Sequence, residues 1–371
     1  MRVCYIANEF FAYGIYGGFG ALLRSFCRGL NARGIETYAL IRRYTEEAIR
    51  EQPDIEDIEG TTVVALPKGY AARCMRRDLF ELPDADLYVS MEPRFDTLLA
   101  KRANPDKKHA ILFGDPHDWP EFWAVARQDP QNNSAWSKWK LWAQHKTLDA
   151  FRHRAAHCVD AHFAHGHEIG LRASKLYGVN PQPTFLPNPI DVPEGPIEKA
   201  EQPTVLFLAR WDLQKRPELF VRLARAFPTV RFVMAGSATD PEVDGKLRHT
   251  YQDIPNLVLP GHISGSAKDQ WLRESWILVN TSVREGMPVS YLEALSYECS
   301  ILSSLEADNL VSRYGCVSKD DNFANALTRL LENDRWRELG RQGRIHVEEV
   351  FEFDKAIDAT VEAYRALIEA G

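Results

Sequence analysis

The chain has 371 residues, 45% of them hydrophobic and 26% charged, which is ordinary for a globular protein long enough to hold two domains with separate cores. Its net charge of −7, with an isoelectric point near 5.9, excludes a nucleic-acid binder that works by bulk charge. Six scattered cysteines (Cys4, Cys27, Cys74, Cys158, Cys299, Cys316) form no C-x-x-C pair, which excludes a zinc ribbon, and no apolar run approaches the ~20 residues of a membrane span.

The opening MRVCYIANEF places Asn8 and Glu9 where a signal peptide needs its apolar core. With reduced thiols, this predicts a cytoplasmic protein and leaves open peripheral contact with the inner face of a membrane. Arg2 to Ala7 reads as a buried strand. Gly17-Gly18-Phe19-Gly20 leads to a helix through Leu22, Leu23, Phe26 and Leu30 that ends near Gly34, and Ile35 to Ile41 reads as a second strand. This βαβ opening predicts a parallel, Rossmann-like sheet. It is not a dinucleotide fingerprint, because Leu23 stands where a small residue is required and the glycines trail the strand by about ten residues. Glycines here either admit a ligand close to the backbone or serve a loop that needs positive φ.

Thr62 to Leu66, Leu87 to Ser90 and Ala110 to Phe113 read as further buried strands. Asp84-Ala85-Asp86 matches a D-x-D metal motif, but it leads straight into the strand LYVS and reads as the approach to that strand; no metal is expected. Gly114 to Trp119 is a polar cluster just past the carboxyl end of a parallel strand, where open α/β sheets bind ligands. It makes His117, Asp118 and Trp119 candidates, against the plainer reading of a loop histidine bonded to Asp115 or Asp118.

Residues 119 to 157 hold five of the nine tryptophans: Trp119, Trp123, Trp136, Trp139 and Trp142. Ser134 to Cys158 reads as a helix. Its stripe of Leu141, Leu148 and Ala155 reads as core. A second stripe of Trp136, Trp139 and Ala143, interrupted by Lys140 and Arg154, suits a sugar platform, a membrane interface or the core of a larger helical layer. Asp160 to Ala164 reads as a strand. His165-Gly166-His167, with His162 nearby, is too sparse for a metal site. Glu168 to Leu176 reads as a helix, and the proline-rich stretch from Pro181 to Pro203 as an interdomain linker.

A second α/β run begins with the strand Val205 to Ala209, followed by Arg210-Trp211-Asp212-Leu213-Gln214-Lys215-Arg216-Pro217 at a helix start. Two cations there oppose the positive helix N-terminus, and an anion between them resolves the conflict. Arg231 to Gly236, Leu257 to Pro260, Trp276 to Asn280 and Ser300 to Ser304 read as strands. Asn322 to Glu332, Arg335 to Glu348 and Phe353 to Ile368 read as helices.

Between the last two strands lies SVREGMPVSYLEALSYECSILSS, in which a loop opens into a helix with Pro288 near its first turn. Glu285 precedes the helix and Glu293 lies in it, offset by roughly 12 Å along the axis at ~1.5 Å per residue. Free N–H groups at the helix start suit an anion. Hydroxyl acceptors flanking an anion site suit a nucleotide diphosphate sugar; the plain alternative is an amphipathic helix with Leu292 and Leu295 packed and both glutamates in water.

Glu285 and Glu293, with the EGMP opening, resemble the paired-glutamate motif of retaining glycosyltransferases of the GT-B fold, family 4. LPNPIDV resembles that family's domain-crossing segment, and Arg210 and Lys215 match its pair of cations. The resemblance implies an α/β protein of two Rossmann-like domains facing a cleft: 1–187 with the terminal helix 353–371 on the acceptor side, and 188–352 holding the donor. It implies transfer of a sugar from a nucleotide sugar to a glycan, lipid-linked or small-molecule hydroxyl with retention; no metal or other cofactor is expected, because no carboxylate or histidine set for one stands out in the sequence. Glu285 would hold the sugar, Arg210 and Lys215 the diphosphate, and Glu293 the ribose. Gly286, Met287, Pro288, Val289, Gly236 and Ile263 would line the donor site, with Ile263 at the base. His117, Asp118, Trp119, Gly17 and Gly18 would face the donor sugar and the acceptor. The chain departs from the family at Tyr297-Glu298-Cys299, where a glycine is usual. A nucleotide-sugar epimerase and a catalytically silent nucleotide-sugar binder are the rival readings.

Overall fold

The structure is a computed structural model and describes residues 1–13, 17–42 and 53–370. The chain divides into two compact units. One comprises Met1–Asp118, Lys138–Pro189 and Phe353–Gly371; the other comprises Trp119–Ser137 and Ile190–Glu352.

The first unit is built on eight strands: β1 (Arg2–Ala7), β2 (Glu36–Arg42), β3 (Ile55–Ile58), β4 (Thr61–Leu66), β5 (Leu87–Met91), β6 (Lys108–Phe113), β7 (Ala161–Ala164) and β8 (Thr184–Phe185), in the order β3-β4-β2-β1-β5-β6-β7-β8. Every pairing is parallel except that of the edge strand β3 with β4. Val3 to Ala7 and all of β5 are buried without alternation, as strands covered on both faces must be. The chain moves outward from β1 through β2 and β4, then returns to place β5 on the other side of β1. That reversal opens a crevice beyond the carboxyl ends of β1 and β5. The helix Gly18–Ala32 covers the sheet, and the C-terminal helix Phe353–Glu369 lies against it. A Cβ on Gly29 would sit 2.4 Å from Ile357, so glycine is what lets the two helices approach.

The second unit has six parallel strands: β9 (Thr204–Leu208), β10 (Arg231–Ala235), β11 (Leu257–Gly261), β12 (Ile277–Asn280), β13 (Ser300–Ser303) and β14 (Gly315–Val317), in the order β11-β10-β9-β12-β13-β14. Its reversal falls between β9 and β12. Phe207, Phe220, Phe232, Trp211 and Trp336 fill its core, with Trp336 stacked on Trp276 at 4.4 Å between ring centres. The buried ammonium of Lys199 donates to the carbonyls of Ser275 (2.5 Å) and Tyr297 (2.6 Å), closing the ends of two helices.

Several local expectations change. The helix of the glutamate motif begins at Val289, with Pro288 as its N-cap in extended conformation, so only half of the Glu285-to-Glu293 segment is helical and the 12 Å axial offset does not apply. Gly17 is extended (φ −138°) and Gly18 opens the helix, so neither serves a positive φ. In the helix Ala135–Ala156 only His145, Ala155 and Ala156 are buried; Leu148 is exposed, and Trp136, Trp139 and Trp142 are 69%, 55% and 43% exposed, so the tryptophan stripe is not core. In the turn Tyr297-Glu298-Cys299, where the resemblance predicts a glycine, Glu298 adopts a left-handed conformation (φ 59°), and Gly340 packs so tightly on it that a Cβ would lie 2.0 Å from its carbonyl oxygen. The three histidines near position 165 point to separate partners: His162 to the Ala156 carbonyl, His165 to the face of Phe26, His167 to the face of Phe185. Among the described residues no group of three or more His, Cys, Asp or Glu is placed to hold a metal ion.

Candidate functional site

At the reversal of the six-stranded sheet, the loops after β9 and β12 are laced together. The Val283 amide donates to the Gln214 carbonyl (2.8 Å), Gln214 Nε2 to the Arg284 carbonyl (2.9 Å), and Thr281 Oγ1 to the Lys215 carbonyl (2.6 Å). Arg216, left-handed at φ 48° before the helix Pro217–Ala226, donates Nε to the Thr281 carbonyl (2.6 Å) and pairs with Asp321 at 2.6 Å.

This frame brings Lys215 and Glu285 together. Lys215 Nζ donates to Glu285 Oε1 at 2.6 Å, and the same oxygen accepts from Ser282 Oγ (2.6 Å) and Asn280 Nδ2 (3.0 Å). Burial pushes the Glu285 carboxyl up, but the Lys215 charge and the three donors outweigh it and hold it below the ordinary carboxylate value. Glu285 is therefore an anion at neutral pH, and it supplies Lys215 with the counter-charge that a cation beside a helix N-terminus requires. Arg210 does not join this cluster: its guanidinium is half exposed and lies 3.6 Å from Asp212.

Glu293, on the helix Val289–Ser296, accepts from Lys268 Nζ at 2.7 Å. Burial lowers the Lys268 ammonium, yet Glu293 more than compensates and leaves it raised. Gly286 and Val289 are half-buried, Met287 and Pro288 buried, and Ile263 is half-buried just past β11. Gly236 has φ +126°, and a Cβ there would lie 1.9 Å from the Ala209 carbonyl oxygen, so its close approach is to the loop after β9.

The first unit holds a cavity of about 530 Å3 at its own reversal point. Asn8 and Glu9 reach it from the end of β1, Glu92, Arg94 and Phe95 from the end of β5, and Asp115 and His117 from the end of β6. Glu92 is left-handed (φ 79°), and its Oε1 accepts the amides of Gly114 and Asp115, both at 2.6 Å, which fixes the loop carrying His117. His117 Nδ1 lies 2.8 Å from the Asp115 carbonyl, which can only accept, so in the neutral ring Nε2 is the acceptor nitrogen. Tyr70, Phe95 and Phe151 meet edge to face at 5.0 and 5.4 Å and make an aromatic wall. Arg42, on the rim, is held by the buried Asp96 at 3.3 Å. Glu9 accepts the Gly20 amide (3.1 Å), and a Cβ on Gly17 would lie 2.7 Å from its carboxylate. Gly17 thus makes room for Glu9, and Gly18 has open space. Asp118 is half-buried beside His117 in sequence; Trp119 belongs to the other unit, where it stacks on Trp123 at 5.7 Å.

The sequence reading missed Glu92, Arg94, Arg216, Lys268, Asn280 and Ser282. A carboxylate followed by proline directly after the strand LYVSM was a usable signal for Glu92. Nothing local marks Lys268, which meets Glu293 only through the packing of two helices.

Residues 202–333 match the family described as glycosyl transferases group 1. No curated protein sequence matches. Among solved structures, a sucrose-phosphate synthase from Thermosynechococcus elongatus superposes with a TM-score of 0.77 at 16% identity, covering 100% of both chains. HepE from Anabaena, solved with UDP and glucose, gives 0.69 at 12% over 99% of this chain and 100% of that one. TarM from S. aureus, solved with UDP, alpha-GlcNAc-glycerol and fondaparinux, gives 0.71 at 12% over 99% of each. At these identities the likeness is one of fold: two mainly parallel α/β sheets of the GT-B type.

Proposed function

We propose, for a chain whose residues 202–333 match the group 1 glycosyl transferases, that it moves a sugar from a nucleotide diphosphate sugar to a hydroxyl acceptor with retention of configuration. The observation that carries this reading is the Lys215–Glu285 pair, fixed by Asn280 and Ser282 at the reversal of the nucleotide-side sheet. A carboxylate held as an anion there stands ready for positive charge developing on a sugar carbon, and the adjacent ammonium for the negative charge of the departing diphosphate. Arg210, exposed at the same loop, adds a second cation, and Glu293 accepts from the ribose hydroxyls. Gly236 and Ile263 flank the base, and Gly286, Met287 and Val289, on either side of the N–H-less Pro288, turn backbone amides to the donor.

The acceptor reading rests on the first unit's cavity, with its aromatic wall and His117 Nε2 as a hydroxyl acceptor. In the retaining step the acceptor hydroxyl attacks from the face the diphosphate leaves. The new C–O bond forms as the sugar–phosphate bond breaks, and the hydroxyl proton passes to the departing phosphate oxygen. The six unbridged cysteines support a reducing, cytoplasmic setting.

The test is a thermal-shift series with UDP, GDP and ADP and their sugars, followed by transfer and hydrolysis assays. UDP and UDP-glucose come first, since HepE was solved with both. Stabilisation by one nucleotide and release of that nucleotide from its sugar are expected. Stabilisation without turnover would mean a silent binder, and no stabilisation by any of them would overturn the donor site.

A further inference from the structure

The helix Ala135–Ala156 carries a feature that sugar transfer does not use. At 3.6 residues per turn, Leu141, His145, Leu148, Arg152 and Ala155 share one side, and buried His145 and Ala155 mark it as the packed one. Trp139 and Trp142 lie on the roughly opposite side, extended by Trp136 one turn earlier, and all three are exposed. A solvated helix face is ordinarily polar, and large apolar side chains clustered in water mark an interaction surface. Basic side chains are interleaved with these rings: Lys146 and Arg154 on the same side, Lys138 and Lys140 along its edges, all exposed.

Charge selects the partner. The helix holds five basic residues (Lys138, Lys140, Lys146, Arg152, Arg154) against one acid, Asp149, a net +4, whereas the whole chain is −7, so the remainder carries −7 − 4 = −11. An anionic surface therefore repels most of the molecule and attracts this helix, which fixes orientation as well as contact. Indole rings, apolar with one polar edge, settle at the headgroup level of a bilayer, and lysine stems reach past them to lipid phosphates. We propose that the Trp139–Trp142 face of this helix docks the protein on an anionic lipid bilayer. Leu148, Phe151 and Arg152 of the same helix line the cavity of the first unit, so the bilayer would lie about one helix diameter, ~10 Å, from that cavity. Docking does not depend on the transfer reading, because it is measured without any sugar.

The experiment is co-sedimentation of the full chain with phosphatidylcholine vesicles and with vesicles that also contain phosphatidylglycerol. Binding to the anionic vesicles alone, reversed by salt, with a blue shift of tryptophan fluorescence, is expected. Lys138→Gln/Lys140→Gln/Lys146→Gln should weaken it by about fivefold per charge, roughly a hundredfold together. Trp139→Ala/Trp142→Ala should abolish the blue shift while leaving the melting curve unchanged; should that variant fold poorly, the lysine variant decides alone. Absent binding, equal binding to neutral vesicles, equal binding by the lysine variant, or binding to duplex nucleic acid in place of vesicles would each overturn the proposal.

Discussion

Glu285 and Lys215 form a pair whose parts cannot be removed independently. Glu285→Gln should lower transfer more than tenfold, since a neutral amide no longer faces the developing charge. Its folded carboxyl is lowered, so its contribution to stability is complete above the ordinary value of 4.5 and is lost as pH falls through the lower folded value. Acid melting of the glutamine variant should lack that slope; a parallel slope would remove Glu285 from the pair. Lys215→Ala leaves a mostly buried carboxylate with two neutral donors, and should cost stability toward the lower end of about 3–5 kcal/mol. Exposed Arg210→Ala should leave the melt unchanged, and each of the two variants should reduce turnover by about 10²–10³. Wild-type turnover should survive EDTA; loss restored by magnesium would transfer the diphosphate charge to a metal. For Glu293, a cycle with Lys268 separates two roles. If it holds ribose, Glu293→Ala should weaken nucleoside diphosphate binding by roughly 1.5–3 kcal/mol. Lys268→Met added to it should recover stability but not affinity, whereas recovered affinity would leave Glu293 only a counter-ion.

At the scale of elements, the close contacts are made by backbone. Glu298 turns the chain into β13 in a left-handed conformation that costs a non-glycine residue roughly 1–2 kcal/mol. Its carboxylate lies 3.6 Å from Arg344. Glu298→Gly should therefore raise the melting temperature slightly, by well under the full 1–2 kcal/mol because glycine gains entropy in the unfolded chain. Gly340→Ala, with its Cβ 2.0 Å from the same carbonyl, should destabilise strongly. A tolerated alanine there would show that the helix Arg335–Val350 can shift off the turn.

Across the whole molecule, two units with separate cores should respond separately to ligand. Hydrogen exchange with and without UDP should show added protection at 209–216, 236–237, 261–264 and 281–293, and little on β1 to β6. Protection confined to the cavity of the first unit would reverse the assignment of donor and acceptor. The exchange pattern of the helix Ala135–Ala156 should change with anionic vesicles and not with UDP, which keeps docking and donor binding distinguishable.

The sequence alone determined what local periodicity encodes. Short uninterrupted apolar runs such as Val3 to Ala7 and Ala110 to Phe113 suit buried parallel strands, and their alternation with helices points to Rossmann-like sheets. The motif around Glu285 was legible because its spacing is local. The short helices at 95–103, 241–251 and 265–274 escaped, because their ends depend on tertiary packing more than on propensity. Only tertiary structure decided the partners of charges: Lys215 lies 70 residues from Glu285 and Lys268 25 residues from Glu293, and sheet reversal or helix packing joins them. It also decided the fate of the tryptophans, since a helix wheel ranks faces by composition but cannot say which face the rest of the chain covers.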